Sequence, residues 1–143
     1  MIKKRKILIV IADYYSVISN SLLDSAKKTL IKPFKLRVIT VPGVFEIPVI
    51  ISKNIKKFDA FIALGCVIKG ETPHFDFISK ASIEAIMNLS VKNKKPIGNG
   101  IITCLNMKQA IARKNNKGEE AANAVNSVFD ELELDNKDVL VDF

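Results

Sequence analysis

Four short apolar runs, each trailed by a stretch of helical periodicity, constrain this chain more than anything else in it. Ile7–Ala12, Leu36–Val41, Asp59–Val67 and Pro96–Thr103 are strand-like, and Pro42-Gly43 closes the second. Ser16 to Ile31 places Leu22, Ala26 and Leu30 on one face, with Pro33 after its end. Val44 to Lys57 spaces Ile47, Ile51 and Ile55 four apart, with Pro48 in the first turns of the predicted helix. His74 to Val91 aligns Ile78, Ala81, Ala85 and Leu89, leaving Phe75, Ile83, Ile86 and Met87 outside that stripe. Asn106 can cap a short helix to Arg113, and Asn116 to Leu132 forms a last one. Strands alternating with helices predict βαβ crossovers and a parallel sheet, so the class is α/β. Near-continuous apolar strands agree, because helices cover both faces of such a sheet. The surplus apolar residues of the third helix predict an oligomer.

With 143 residues the chain fits one domain spanning 1–143. No apolar run approaches the roughly 20 residues needed to cross a membrane. Met1 to Lys6 followed by Ile7–Ala12 is similar to the start of a signal peptide, but Asp13 ends the run and no small-residue cleavage site follows. The segment reads as a buried first strand, and the protein as cytoplasmic. Cys66 and Cys104 lack metal-ligand spacing and read as reduced core thiols, so no metal is expected. The net charge of +7 raises nucleic acid as a partner. The lysines are scattered without interleaved aromatics, however, so neither nucleic acid nor membrane is expected. The tail Asp138–Phe143 alternates apolar and polar residues, a pattern open to a short strand or an irregular end.

The segment Gly70-Glu71-Thr72-Pro73-His74-Phe75-Asp76-Phe77 holds the only histidine. Thr72 can N-cap the following helix, and Pro73 suits its first position. Free turn N–H groups at a positive helix end favour an anion. A capped helix with a solvated histidine is the plainer reading of this segment taken alone. Ligands of open α/β sheets, however, bind outside the carboxyl ends of the strands. Four segments converge there: Asp13-Tyr14-Tyr15, Pro42 to Glu46, Cys66 to His74, and Gly98-Asn99 through Cys104. A small-molecule site follows from that convergence. A flavin carrier or a phosphorylation switch would share the architecture, but the first strand ends in neither a phosphate loop nor paired aspartates.

Three motifs carry a resemblance. Val41-Pro42-Gly43-Val44-Phe45-Glu46-Ile47-Pro48, Ala63 through Asp76, and Asn116-Lys117-Gly118-Glu119-Glu120-Ala121-Ala122 resemble, in order, signatures of the lumazine synthase family. The resemblance covers about Ile7 to Asn126. It implies a three-layer α/β/α flavodoxin-like sandwich with a four-stranded parallel sheet. It also implies a transferase of riboflavin biosynthesis that uses no cofactor. In that reaction 5-amino-6-(D-ribitylamino)uracil condenses with 3,4-dihydroxy-2-butanone 4-phosphate, giving 6,7-dimethyl-8-ribityllumazine, phosphate and water. By the same resemblance His74 transfers protons and the backbone of Glu71 and Thr72 receives the phosphate, with Arg113 as its guanidinium anchor. Val44, Phe45 and Glu46 hold the ribityl chain; Cys66, Val67 and Ile68 contact the pyrimidine through backbone groups; Tyr14 stacks on it. Lys117 and Glu120 match polar positions nearby, and Glu120 can orient His74 or simply face water. A non-catalytic member that binds a lumazine or flavin is the alternative from another class.

The chain departs from the family in three places. Asn99 stands where many members have phenylalanine, at a subunit boundary. Tyr14-Tyr15 replaces a common Phe-Asn pair. The connection from Arg113 to Asn116 is shorter than in many members. The resemblance implies a homopentamer with sites between neighbours.

Overall fold

The computed structural model describes residues 4–133 and 140–143. The elements run β1 (Arg5–Ala12), α1 (Ser16–Thr29), β2 (Phe34–Val41), a 3₁₀ turn (Val44–Glu46), α2 (Ile47–Asn54), β3 (Ala60–Ile68), α3 (His74–Asn93), β4 (Ile97–Cys104) and α4 (Met107–Glu133). The four strands form one sheet in the order β2-β1-β3-β4, and every pairing is parallel. This is the flavodoxin-like α/β arrangement, with its winding reversed between β1 and β3.

The period of two along the strands sorts the core into two layers. Ile7, Ile9, Ile11, Ile62, Leu64 and Cys66 point to one face, where Ile18, Leu22 and Ala26 of α1 and Ala121, Val125 and Phe129 of α4 cover them. Leu8, Val10, Phe61, Ala63 and Ile101 point to the other, under Val44, Ile47, Ile51 and Ile86. Burying both faces explains the unbroken apolar runs of β1 and β3, whereas the edge strand β2 interleaves exposed Lys35 and Arg37 with half-buried apolar residues.

Three expectations change. Arg113 to Asn116 does not divide two helices, because α4 is continuous for 27 residues. Its middle is held by packing: Gly118 is buried against α1, and Ser25 Oγ donates to the Asn115 carbonyl at 2.6 Å. A Cβ at Gly118 would lie 2.5 Å from the Leu22 carbonyl oxygen, so only glycine permits this approach. The expected helix from Val44 instead begins with a 3₁₀ turn, and α2 starts at Ile47 with Pro48 in its first turn. On α3 the buried stripe runs through Ser82 and Ile86, flanked by half-buried Ile78 and Leu89, so Ile86 belongs to the core. Phe77, Met87 and Val91 remain exposed at 69%, 60% and 69%, as does Val49 of α2 at 65%.

The alternating tail from Asp138 lies partly outside the described residues, and residues 140–143 have no regular secondary structure. Among the described residues, no helix is long and apolar enough to cross a membrane.

Candidate active site

A cavity of about 930 Å³ opens at the carboxyl ends of β1 and β3, where the winding reverses. Ala12 ends β1 at its floor, and Tyr14 and Tyr15 follow in the loop to α1. Gly43, Val44, Phe45 and Glu46 form the wall after β2; Cys66, Val67 and Ile68 form the end of β3. Gly70, Thr72 and His74 lead into α3. Nine of the thirteen expected site residues therefore share one cavity: Tyr14, Val44, Phe45, Glu46, Cys66, Val67, Ile68, Thr72 and His74.

Local sequence explains each placement. Gly65 lets β3 pass under Val44: a Cβ there would meet Val44 Cγ2 at 2.7 Å and Ala12 Cβ at 3.2 Å. Pro42-Gly43 turns the chain, and the Glu46 N–H donates to the Gly43 carbonyl at 3.2 Å. Thr72 Oγ1 accepts from the His74 N–H at 3.4 Å. Helix α3 begins at His74, so Pro73 is its flanking residue and not its first helical one. Its ψ of 4° keeps it outside helical geometry. Among the described residues, no carbonyl or side chain accepts from the N–H groups of Gly70, Glu71 or Thr72. These donors stand beside the positive end of a 20-residue helix.

Burial pushes the Cys66 thiol up to about 12, and the neighbouring Cys104 acts in the same direction. Cys66 is therefore a neutral wall residue and no nucleophile at ordinary pH. Burial also raises the Tyr15 phenol, with smaller contributions from Tyr14, Cys66 and Cys104. The rings of Tyr14 and Tyr15 meet edge to face, 4.9 Å between centroids. Tyr14 is 76% exposed, so its face is available for stacking.

The other four expected residues do not line the cavity. Glu71 is exposed, between two residues that do. Asn99 lies in the first half of β4, its Oδ1 accepting from the Ile101 N–H at 3.0 Å. Arg113 sits on the exposed side of α4, where Nη1 donates to the Thr103 carbonyl at 3.3 Å. Lys117 pairs with Glu120 at 3.8 Å on the same helix, and Glu120 does not reach the cavity. Conversely, Phe75, Phe77, Ile78, Lys80, Ala81 and Glu84 line the cavity from α3 without having been expected in the site. Most recur three or four residues apart from His74, so the helical period was the signal that could have found them.

Residues 4–133 match the family model described as 6,7-dimethyl-8-ribityllumazine synthase. The chain belongs to that family. Relatives bearing the same name are similar over most of their length. One from Bartonella henselae is 46% identical over 131 residues, covering 85% of this chain and 84% of its own. One from Methylorubrum extorquens is 42% identical over 136 residues, covering 87% and 79%. The lumazine synthase match includes both the cavity walls and α4, and so spans the residues gathered here and those left outside.

Proposed function

We propose that this chain is a 6,7-dimethyl-8-ribityllumazine synthase, a transferase of riboflavin biosynthesis. It condenses 5-amino-6-(D-ribitylamino)uracil with 3,4-dihydroxy-2-butanone 4-phosphate to the lumazine, phosphate and water. The observation that carries this reading is the single cavity joining a stacking aromatic, a carboxylate, a strand end and a histidine beside open backbone donors. Membership of the family supplies the reaction.

Each group then has a task. The Tyr14 face stacks on the pyrimidine, and the ends of β3 at Cys66, Val67 and Ile68 offer backbone groups to its edge. Val44 and Phe45 flank the ribityl chain while Glu46 accepts from its hydroxyls. The N–H groups around Glu71 and Thr72 take the phosphate, which leaves by elimination after imine formation. His74, at the rim beside that cradle, moves protons between the condensing amine, the carbonyl and the departing water.

Arg113, Lys117 and Asn99 complete the site from a neighbouring copy. Their position outside this chain's cavity supports that division, as do the exposed Val49, Phe77, Met87 and Val91. The assembly proposed is a cytoplasmic homopentamer of single-domain chains spanning 1–143.

The test is turnover. Purified protein given both substrates, without added metal, forms a fluorescent lumazine and releases phosphate. Binding of the uracil without phosphate release would replace this reading with a binding-only one.

A further inference from the structure

Tyr15 stands apart from the residues that the family resemblance assigns. It lines the cavity beside Tyr14 and the end of β3, yet its ring also packs against the core layer under α1 and α4. Two constraints hold the ring: that core contact and the edge-to-face contact with Tyr14 at 76°. A ring fixed in this way carries its hydroxyl in one place. Among the described residues that hydroxyl makes no hydrogen bond to protein. Cys66 and Cys104, the polar groups nearest in character, are buried thiols and weak partners at best.

Tyr15 is half-buried, and its hydroxyl is held at the cavity wall with no protein group among the described residues taking its proton. A ligand acceptor that meets it gains a hydrogen bond, and an isostere lacking the acceptor does not. This asymmetry is how a polar group positioned in a binding site discriminates between substrates. The raised phenol stays protonated throughout neutral pH, so it can donate as well as accept.

We propose that the Tyr15 hydroxyl is a specificity-determining donor to a ring carbonyl of the heterocycle stacked on Tyr14. The proposal rests on the cavity taking a pyrimidine, as argued above. A carbonyl oxygen is the fitting acceptor: it lies in the ring plane, so a ring stacked on Tyr14 presents its edge toward the neighbouring side chain. Tyr14 then selects an aromatic ring and Tyr15 selects among rings by their edge.

Tyr15→Phe keeps both ring contacts and removes only the hydroxyl. Wild-type turnover is measured first and tests the reaction itself. In the variant, KM for the ribitylaminouracil rises about 3- to 10-fold, as one neutral hydrogen bond implies. Its kcat and its KM for the phosphate substrate stay within about 2-fold, and its melting temperature is unchanged. An unchanged uracil KM overturns the proposal, as does a joint shift of both KM values with stability. A second measurement needs no turnover. Equilibrium binding compares the ribitylaminouracil with analogues in which one ring carbonyl oxygen is replaced by sulfur, a poorer acceptor. Wild type disfavours one of these analogues by a similar factor and Tyr15→Phe does not; equal discrimination by both proteins overturns the assignment. If turnover fails but this binding difference appears, the reaction is wrong and the role of Tyr15 stands.

Discussion

Cys66 illustrates how a thiol can line a candidate site without the character of a nucleophile. Its folded thiol keeps its proton up to about pH 12, whereas an unperturbed thiol releases it near 9.0. Deprotonation therefore favours the unfolded chain. The stabilisation is fully present below pH 9.0 and is lost as the pH rises toward 12. Urea midpoints measured from pH 8 to 10.5 should fall more steeply for wild type than for Cys66→Ser, whose hydroxyl does not titrate in that range. Parallel slopes would show that the thiol is not shielded. At this scale much of the site was legible: His74 is the only histidine, and the glycine and proline turns place it after a strand. The contributions of Lys80 and Glu84 were not, because they depend on the phase with which α3 lies against the sheet. A buried serine, Ser82, in place of an apolar residue disguised that phase.

Among the elements, β1 and β3 announced themselves because burial on both faces leaves their buried stretches without polar interruption, and the edge strand β2 by its alternation of apolar and polar residues. Helix α4 did not. Asn115 and Asn116 have weak helical preference, and in isolation the stretch from Arg113 to Asn116 reads as a break between two helices. Packing decides otherwise, since α1 lies so close that Gly118 touches the Leu22 backbone. The capping at the start of α4 was readable: Gln109 N–H donates to Asn106 Oδ1 at 2.9 Å, while Gln109 Oε1 accepts from Leu105 N–H at 2.7 Å. Gly118→Ala should test which influence dominates. Alanine gains about 1 kcal/mol of helix propensity, but overpacking against a backbone atom typically costs about 1–3 kcal/mol. A net loss of about 1 kcal/mol or more in urea unfolding is expected, with α1 displaced from α4. A gain in stability would mean that the two helices separate freely.

For the whole molecule, the distribution of site residues makes a prediction that no single chain can satisfy. His74 lines the cavity and Arg113 does not. If neighbours in a ring share each site, His74→Ala and Arg113→Ala remove different halves of it. Refolding the two variants together at equal amounts should regenerate about a quarter of the sites, each built from two intact halves. Activity at low phosphate-substrate concentration should rise above that of either variant alone, and the mixture should have the mass of the wild-type oligomer. Activity equal to the mean of the two variants would place both residues in one chain. The sequence hinted at association through Phe75, Ile83, Ile86 and Met87 of α3; of these Ile83 and Met87 are exposed and Ile86 is buried, while Phe77 and Val91 add exposed apolar area that the pattern did not mark. The partner's identity was not legible in the same pattern, because a stripe of apolar residues does not encode what covers it.

The unbroken α4 also has a mechanical meaning. Twenty-seven residues at about 1.5 Å each make a rod some 40 Å long. Sharp bends in helices arise at proline, at small residues or where the hydrogen-bond ladder is interrupted. Proline is absent from this helix, and its one glycine is clamped against α1. Arg113, near one end, is thus tied to Phe129, whose ring lies under the Arg5 guanidinium near the other. The guanidinium that would grip phosphate has no hinge of its own. A rotation of α4 at its far end would be transmitted to Arg113 as a change of aim, making anchorage a property of how the whole helix is seated.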